Sequence, residues 1–436
     1  MPLLPTSDQV LALAPDVQIS GAARGLASPQ KWLTLGLSDE AAWGECPGSG
    51  QQPYQVLAQL AGLAFHCSCP SRKRPCKHAL GLLLLIAKQA PPSSAEAPAW
   101  VRERLAVFNR RPRTDATERP RPRSKTTATQ TAARRETRVA AGMDELSLWL
   151  TDLVRRGLAA AQTQSPRYWE SMAAHLVDAQ APGAARLVRT LGGLPASGPA
   201  WPERLTAGLG QLYLLVEGYA RLNSLPADLQ ADVRARLGFT LQHEALLKEP
   251  GVRDRWQVLG RRVEEEDRLR AQRVWLWGER SQRLALVMSY AAPGQALDTR
   301  LLPGTALEAE LVFFPSAFPM RALLKSAGTA ETLDRLPSQT GIARAAAAHG
   351  GALARNPWIE YLPVAIDAVT PVRLNGAWWV RDAAGDGWPL APDFTAAWSL
   401  LALSGGTPRP VFGEWDGEAF WPLSALAEGR LVLLDG

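Results

Sequence analysis

Phe65-His66-Cys67-Ser68-Cys69-Pro70-Ser71-Arg72-Lys73-Arg74-Pro75-Cys76-Lys77-His78 is the stretch from which the rest of the chain is best read. Three of the four cysteines of the 436-residue protein fall in it, as Cys-x-Cys and then, after a gap of six residues, Cys-x-His. Three thiolates and an imidazole are the soft and borderline donors that Zn²⁺ prefers, and together they fill a tetrahedron. Cys67, Cys69, Cys76 and His78 therefore predict one structural zinc ion with no position open for water or substrate. That points to a binding protein and not an enzyme. A redox Cys-x-Cys pair is the competing reading, and the adjoining Cys-x-His argues against it. His66 neighbours the first ligand and is an alternative to His78, but fits better as a residue packed beside the site. Cys46 has no ligand partner next to it and reads as a packed thiol.

The flanks of the cluster suggest how it is held. Pro75-Cys76-Lys77-His78 opens the apolar run Ala79 to Lys88, which Pro91-Pro92 stops, as expected of a buried helix. Upstream, Tyr54-Gln55-Val56-Leu57-Ala58 alternates like a strand, with Gly62 to Cys67 as its hairpin partner. Trp43 to Gly50 reads as turn-rich. Asp8 to Leu13 reads as a short helix, and Ser28-Pro29 as the start of another element with Ser28 as its cap. A metal joining the hairpin to the helix turns binding energy into folding energy, which a small module needs.

The spacing Cys67-x-Cys69-x6-Cys76-x-His78 resembles the SWIM zinc finger. Phe65 to Ser71 and Pro75 to Leu80 are similar to that family's core, and Gly48-Ser49 with Tyr54-Gln55-Val56 to its leading hairpin. The resemblance covers roughly residues 43–88. More loosely, Trp43-Gly44-Glu45-Cys46 and the stretch from Val252-Arg253-Asp254-Arg255-Trp256 to Trp277-Gly278 resemble long bacterial SWIM-finger proteins of uncharacterised role. The resemblance implies a two-stranded hairpin followed by a helix, zinc binding, and a role in DNA binding or protein interaction. It implies no known reaction.

Charge is unevenly spread. The formal net charge is +6, yet residues 110–138 alone carry ten basic residues against Asp115, Glu118 and Glu136. The finger adds Arg72, Lys73, Arg74 and Lys77 with no acid between His66 and His78. A polyanion is expected to bind in this first third, with those four cations as phosphate contacts. DNA is the expected partner; a protein partner is the alternative. No aromatic signature of RNA recognition accompanies the cations.

Beyond the finger, composition divides the chain. Pro, Arg, Thr and Ala dominate residues 94–138, with Arg119-Pro120-Arg121-Pro122-Arg123 at the centre, so a disordered basic linker is expected, with a short helix around Trp100 to Phe108. Leu146, Trp149, Leu150 and Leu153 then recur at helical spacing. Further helices are expected over Arg167–Leu191, Pro202–Asn223, Pro226–Leu247 and Val252–Val274. Glu264-Glu265-Glu266-Asp267, with Arg268 and Arg270 four residues on from Glu264 and Glu266, reads as a salt-bridged helix face. Strand patterns follow at Val274–Trp277, Leu284–Met288, Leu307–Phe314, Trp378–Val380 and Leu431–Leu434, with a helix over Leu323–Ala354. Of sixteen tryptophans, nine lie beyond residue 274, enough to build a core and leave a few for a docking surface.

The expected fold is α+β. It comprises a zinc-bound hairpin-plus-helix module (1–93), the basic linker (94–138), an α-helical middle domain (139–273) and a mixed α+β, Trp-rich C-terminal region (274–436). His175, His243 and His349 are isolated. Phosphate-binding glycine loops, a nucleophile elbow and a zinc-protease helix are absent. No charged-then-apolar leader opens the chain, and its longest apolar run, Ala79 to Ala87, is too short to span a bilayer. A cytoplasmic protein without a membrane span is therefore expected.

Overall fold

The alternation at Tyr54–Gln59 forms a strand, and it is one of four. In the computed structural model, residues 7–434 are described except 12, 16, 49–51, 61–63, 72, 89–96, 111–124, 267–268, 293–294, 296 and 338–340. Two short helices, α1 (Ser7–Leu11) and α2 (Val17–Arg24), precede β1 (Thr34–Leu37), β2 (Ala41–Cys46), β3 (Tyr54–Gln59) and β4 (Phe65–Cys67). The four pair in sequence order into an antiparallel sheet, and α3 (Lys77–Lys88) follows. The expected hairpin is β3–β4, in register Val56↔Cys67, Leu57↔His66 and Ala58↔Phe65. Trp43 to Cys46, read above as a turn, is instead the buried strand β2: Trp43 packs over Gly36, where a Cβ would meet the indole at 2.3 Å. Ser28 forms no side-chain cap; its hydroxyl is bonded to Gln30.

One face of this sheet packs on α1–α3, where Val56, Ala58, Leu80, Leu83 and Leu84 share a core with the three ligand cysteines. The other face is covered by α4 (Ala99–Arg110). Val101 and Leu105 of α4 bury themselves against Ala41, Trp43 and Leu57. The next helix, α5 (Lys125–Arg156), begins well inside the stretch assigned above to a disordered linker. The physical reason is anchoring. Arg135 donates to the carbonyls of Gln180 and Gly238 at 3.4 and 3.0 Å and lies 4.0 Å over the Phe239 ring. Glu136 pairs with Arg234 and accepts from the Tyr219 hydroxyl. Arg119 to Arg123 lie outside the described residues.

α6 (Leu158–Thr163), α7 (Pro166–Asp178), α8 (Pro182–Gly193), α9 (Trp201–Ala220), α10 (Ala227–Leu237) and α11 (His243–Leu246) complete the helical part. Its core takes Leu146, Leu150 and Leu153 from α5, Trp169 and Leu176 from α7, Val188 from α8 and Leu205 to Leu215 from α9. The pattern over 167–191 divides where Gln180 takes a left-handed φ of 64° and Pro182 starts a new helix. Gly183 lets α8 touch α10: a Cβ there would meet the Arg236 carbonyl oxygen at 1.9 Å.

The segment expected to be helical from Val252 to Val274 is a long hairpin, β5 (Val252–Glu266) and β6 (Leu269–Gly278), so the strand-built part starts at Val252. Trp256, Val258, Val274 and Leu276 alternate inward, and this period of two outweighs the four-residue spacing of the charges. β7 (Leu284–Ala291), β8 (Thr305–Phe313) and β9 (Arg321–Thr332) close a barrel in the order β5-β6-β7-β9-β8, with β7 and β9 parallel. Closure leaves none of these five strands with a free edge. The helix expected over 323–354 is partly β9 and is confined to α12 (Ile342–Arg355).

A six-stranded sheet finishes the chain: β10 (Leu362–Leu374), β11 (Ala377–Asp382), β12 (Gly387–Pro389), then α13 (Ala397–Ser404), β13 (Arg409–Trp415), β14 (Phe420–Ala427) and β15 (Arg430–Leu433). Its core includes Leu259 of β5 and Trp275 of β6, with Trp277 packed against it, and the Ser424 hydroxyl of β14 donates to the Leu259 carbonyl at 2.6 Å, so the sheet lies against the β5–β6 part of the barrel wall. Trp275, Trp388, Trp415 and Trp421 are buried, while Trp398 is 63% exposed with Trp378 edge-on to it. Trp358, just before β10, reaches into the helical core and donates to the Gln211 carbonyl at 3.1 Å. No helix among the described residues is long and apolar enough to cross a membrane.

Candidate metal centre

Each ligand is placed by a different local device. Cys67 ends β4, paired to Val56, with its side chain on the core face. Ser68 ties the following turn to β3: its hydroxyl accepts from the Gln55 N–H at 2.9 Å, and its own N–H donates to the Gln55 carbonyl at 3.1 Å. Cys69 turns back into the same core. Cys76 sits immediately before α3, and its carbonyl accepts the Leu80 N–H at 3.1 Å, as in the first helical turn. Its sulfur also accepts the Ala79 N–H. Cys76 thus occupies the place of an N-cap side chain, at the helix end whose partial positive charge favours a thiolate. His78 follows in the first turn and presents Nδ1 3.9 Å from Cys67 Sγ and 4.0 Å from Cys76 Sγ.

All four ligand atoms lie within 4.8 Å of one another, and all four residues are buried. Zn–S bonds of about 2.3 Å and Zn–N bonds of about 2.0 Å make tetrahedral edges of roughly 3.5–3.8 Å, so the cluster closes on an ion by shifts of a few tenths of an ångström along its shorter edges and about one along its longest. The donor set fits zinc, and Cys67, Cys69, Cys76 and His78 hold it. Hydrogen bonding from Cys67 pulls the Cys76 thiol down to about 3; His78 and the Ala79 N–H assist, against burial. The reciprocal bond to Cys76, with burial, pushes Cys67 up. Tyr54 closes the site from β3, its ring centroid 5.1 Å from that of His78.

His66 is not a ligand: opposite Leu57 in the β3–β4 ladder, it projects to the other face of the sheet, toward α4. Burial lowers its pKa, and the charges of Arg104 and then Arg74 lower it further. Cys46 is a packed thiol, buried, donating to the Lys31 carbonyl at 3.6 Å, its pKa raised by burial. Of the four cations expected to meet phosphate, Lys73 and Lys77 are exposed. Arg74 is half-buried, and its guanidinium donates to the Cys67 carbonyl at 3.4 Å. Arg72 lies outside the described residues.

Residues 66–87 match the SWIM zinc finger. This chain carries a SWIM finger. Residues 134–237 match a second model, the SWIM-associated four-helix bundle domain, which spans most of α5 and continues through α10. The finger and the bundle thus occur together here as that domain's description has them. The barrel and the C-terminal sheet lie outside both matches. No curated protein and no solved structure matches the chain.

The short helix expected around Trp100 to Phe108 is α4; what the sequence reading did not foresee is that it packs on the outer face of the finger's sheet. Its signal was the pair Val101 and Leu105, one turn apart, within a composition that otherwise favours disorder. It matters to the site because it covers the face of the sheet opposite the metal ligands, the face to which His66 projects.

Proposed function

We propose that the protein binds DNA through its zinc-organised N-terminal module and is not an enzyme. The observation that carries this is the pair Lys73 and Lys77, exposed on either side of the ligand Cys76, in a loop that has no acid from His66 to His78. Zinc fixes the backbone under these cations, so their approach to phosphate costs little ordering entropy. The metal has four protein ligands and no open position, which supports a structural ion. The barrel is a poorer candidate for DNA, because the C-terminal sheet lies over the β5–β6 part of its wall. The expected basic linker contributes less than its composition suggests, since Arg135 is committed to the helical bundle.

The test is DNA binding by the full, zinc-loaded chain across a salt series. With about four phosphate contacts the slope of log K against log salt is about −3.6. Cys76→Ser should lower zinc content and reduce DNA affinity together. Salt-independent binding, or undiminished affinity in a zinc-depleted Cys76→Ser protein, would refute the proposal. A second reading, an adaptor for protein partners, is favoured by exposed Trp398 beside Trp378, an aromatic pair of the kind that anchors interfaces.

A further inference from the structure

α9 has three faces. Leu205, Leu209, Leu212, Leu215 and Val216 turn into the bundle core. Arg204, Gln211 and Gly218 meet the C-terminal half: Arg204 pairs with Glu418 at 3.8 Å, the Gln211 carbonyl accepts from Trp358, and a Cβ on Gly218 would lie 3.9 Å from the Trp358 ring. On the third face, Thr206, Ala207, Gly210, Tyr213 and Leu214 fall within about 60° of one line at about 100° per residue. All five are exposed, Tyr213 and Leu214 at 54% and 48%. This middle carries no charge, but its ends do. Glu203 lies on the same line near the helix start, exposed and with no ion-pair partner among the described residues. Arg221 lies on it just past the helix end, 72% exposed, bonded to Glu217 at 2.8 Å and with further N–H donors to spare.

An acid at one end, a base at the other and an uncharged middle match an antiparallel copy of the same helix. With a twofold axis beside Gly210, Thr206 and Ala207 of one copy come level with Tyr213 and Leu214 of the other, so each large side chain meets a small one. Gly210 puts no side chain between the two backbones, and nothing lies within 4 Å of where its Cβ would be. Helix side chains lean toward their own N-terminus, so Arg221 reaches back about one turn and meets Glu203 of the second copy.

We propose that the exposed face of α9 is a self-association surface, on which a second copy of this chain docks antiparallel. The interface is isologous, so each Glu203–Arg221 bridge occurs twice. The face runs about 21 Å from Glu203 to Glu217, which places it at the small end of specific interfaces, and the dimer forms at micromolar concentrations. An unrelated partner helix needs only the apolar middle; the oppositely charged ends single out a second copy. The inference is independent of the DNA-binding reading.

The experiment is sedimentation velocity on the full zinc-loaded chain over about 1–100 µM, where the wild type is expected to pass from monomer to dimer. Leu214→Arg puts a charge into the uncharged middle and should abolish the dimer, with zinc content and circular dichroism unchanged because the residue is exposed in the monomer. Arg221→Glu gathers three acids at each end of the interface and should weaken association roughly tenfold. Adding Glu203→Lys to it should restore the affinity to within about threefold, a rescue that a general loss of stability does not give. A wild type that stays monomeric over the whole range overturns the proposal. So does a dimer that survives Leu214→Arg, or one that Arg221→Glu weakens and Glu203→Lys does not rescue.

Discussion

Glu414→Ala is the substitution that most directly tests how the C-terminal half is held together. The Glu414 side chain is 0% exposed and lies between the barrel and the sheet. It accepts from Arg273 Nε at 3.0 Å, Arg262 Nη1 at 3.1 Å and the indole N–H of Trp275 at 2.7 Å. Burial works against the Arg273 charge, but Glu414 and Glu264 outweigh it and raise its pKa. Removing the carboxylate leaves Arg273, 9% exposed, with Glu264 alone, and leaves the Trp275 N–H without its acceptor. Arg262 loses least, keeping Glu264 at 2.8 Å and its stack 3.5 Å over Trp421. Breaking a buried pair costs about 3–5 kcal/mol, and an orphaned N–H about 1–3 kcal/mol. The two overlap because they share one partner, so about 4 kcal/mol is expected. For a unit the size of the barrel and sheet that is a fall of about 8–16 °C in Tm.

Tryptophan fluorescence during heating reports this transition, because Trp275 and Trp421 border the lost carboxylate. Glu264→Ala is the control: its side chain is 29% exposed, so it should cost about 1 kcal/mol or less. Arg273→Met/Glu414→Leu should regain most of the loss, since apolar residues of similar volume often replace a buried pair without penalty. A Glu414→Ala Tm within about 2 °C of wild type, roughly half a kcal/mol to one, would refute the claim that this carboxylate is the barrel–sheet lock.

Two further outcomes concern the helical bundle. Gly183→Ala drives a Cβ onto the Arg236 carbonyl and should cost at least about 1–3 kcal/mol, whereas Gly210→Ala, exposed in α9 with nothing within 4 Å, should stabilise by up to about 1 kcal/mol; chemical denaturation followed by circular dichroism separates them. Burial raises the pKa of Asp232, against hydrogen bonds from Ser316 and the Ala317 N–H. A carboxyl whose pKa is raised on folding stabilises below its unfolded pKa and loses that contribution as pH rises through the folded value. Asp232→Asn should therefore be at least as stable as wild type at neutral pH, with the difference vanishing in acid; thermal melts across pH would contradict this if the variant were uniformly weaker.

The metal centre was legible because its chemistry is local. All four ligands lie between the end of one strand and the start of the next helix, and donor type alone names the ion. The bundle was legible through period: Leu146, Leu150 and Leu153 are buried as their spacing requires. The long β5–β6 hairpin was not, because its charges repeat every four residues and imitate a helix. Arg262, Arg273 and Glu264 instead lie on one outer strand face, and they meet Glu414 of β13 in the folded chain. Residues far apart in sequence decided which period was meaningful. The start of α5 was hidden likewise, since Arg135 and Glu136 read as linker charges until Gln180, Gly238 and Arg234 come to meet them.

The same contrast bears on what the finger does for the rest of the chain. Cys67, Cys69 and Cys76 belong to one core with Val10, Trp32 and Leu80, and Leu302, in the connection between β7 and β8, packs against that core. Zinc therefore holds more than a hairpin to a helix, because the metal's free energy also supports the core against which Leu302 packs. On its outer face the sheet that carries Cys67 is covered by α4, and Lys73 and Lys77 are exposed in the turn and helix start that carry Cys76. A turn held by a core in this way moves little on binding. Charge at such a turn can select a partner of matching spacing, whereas charge on an unanchored segment selects only by sign.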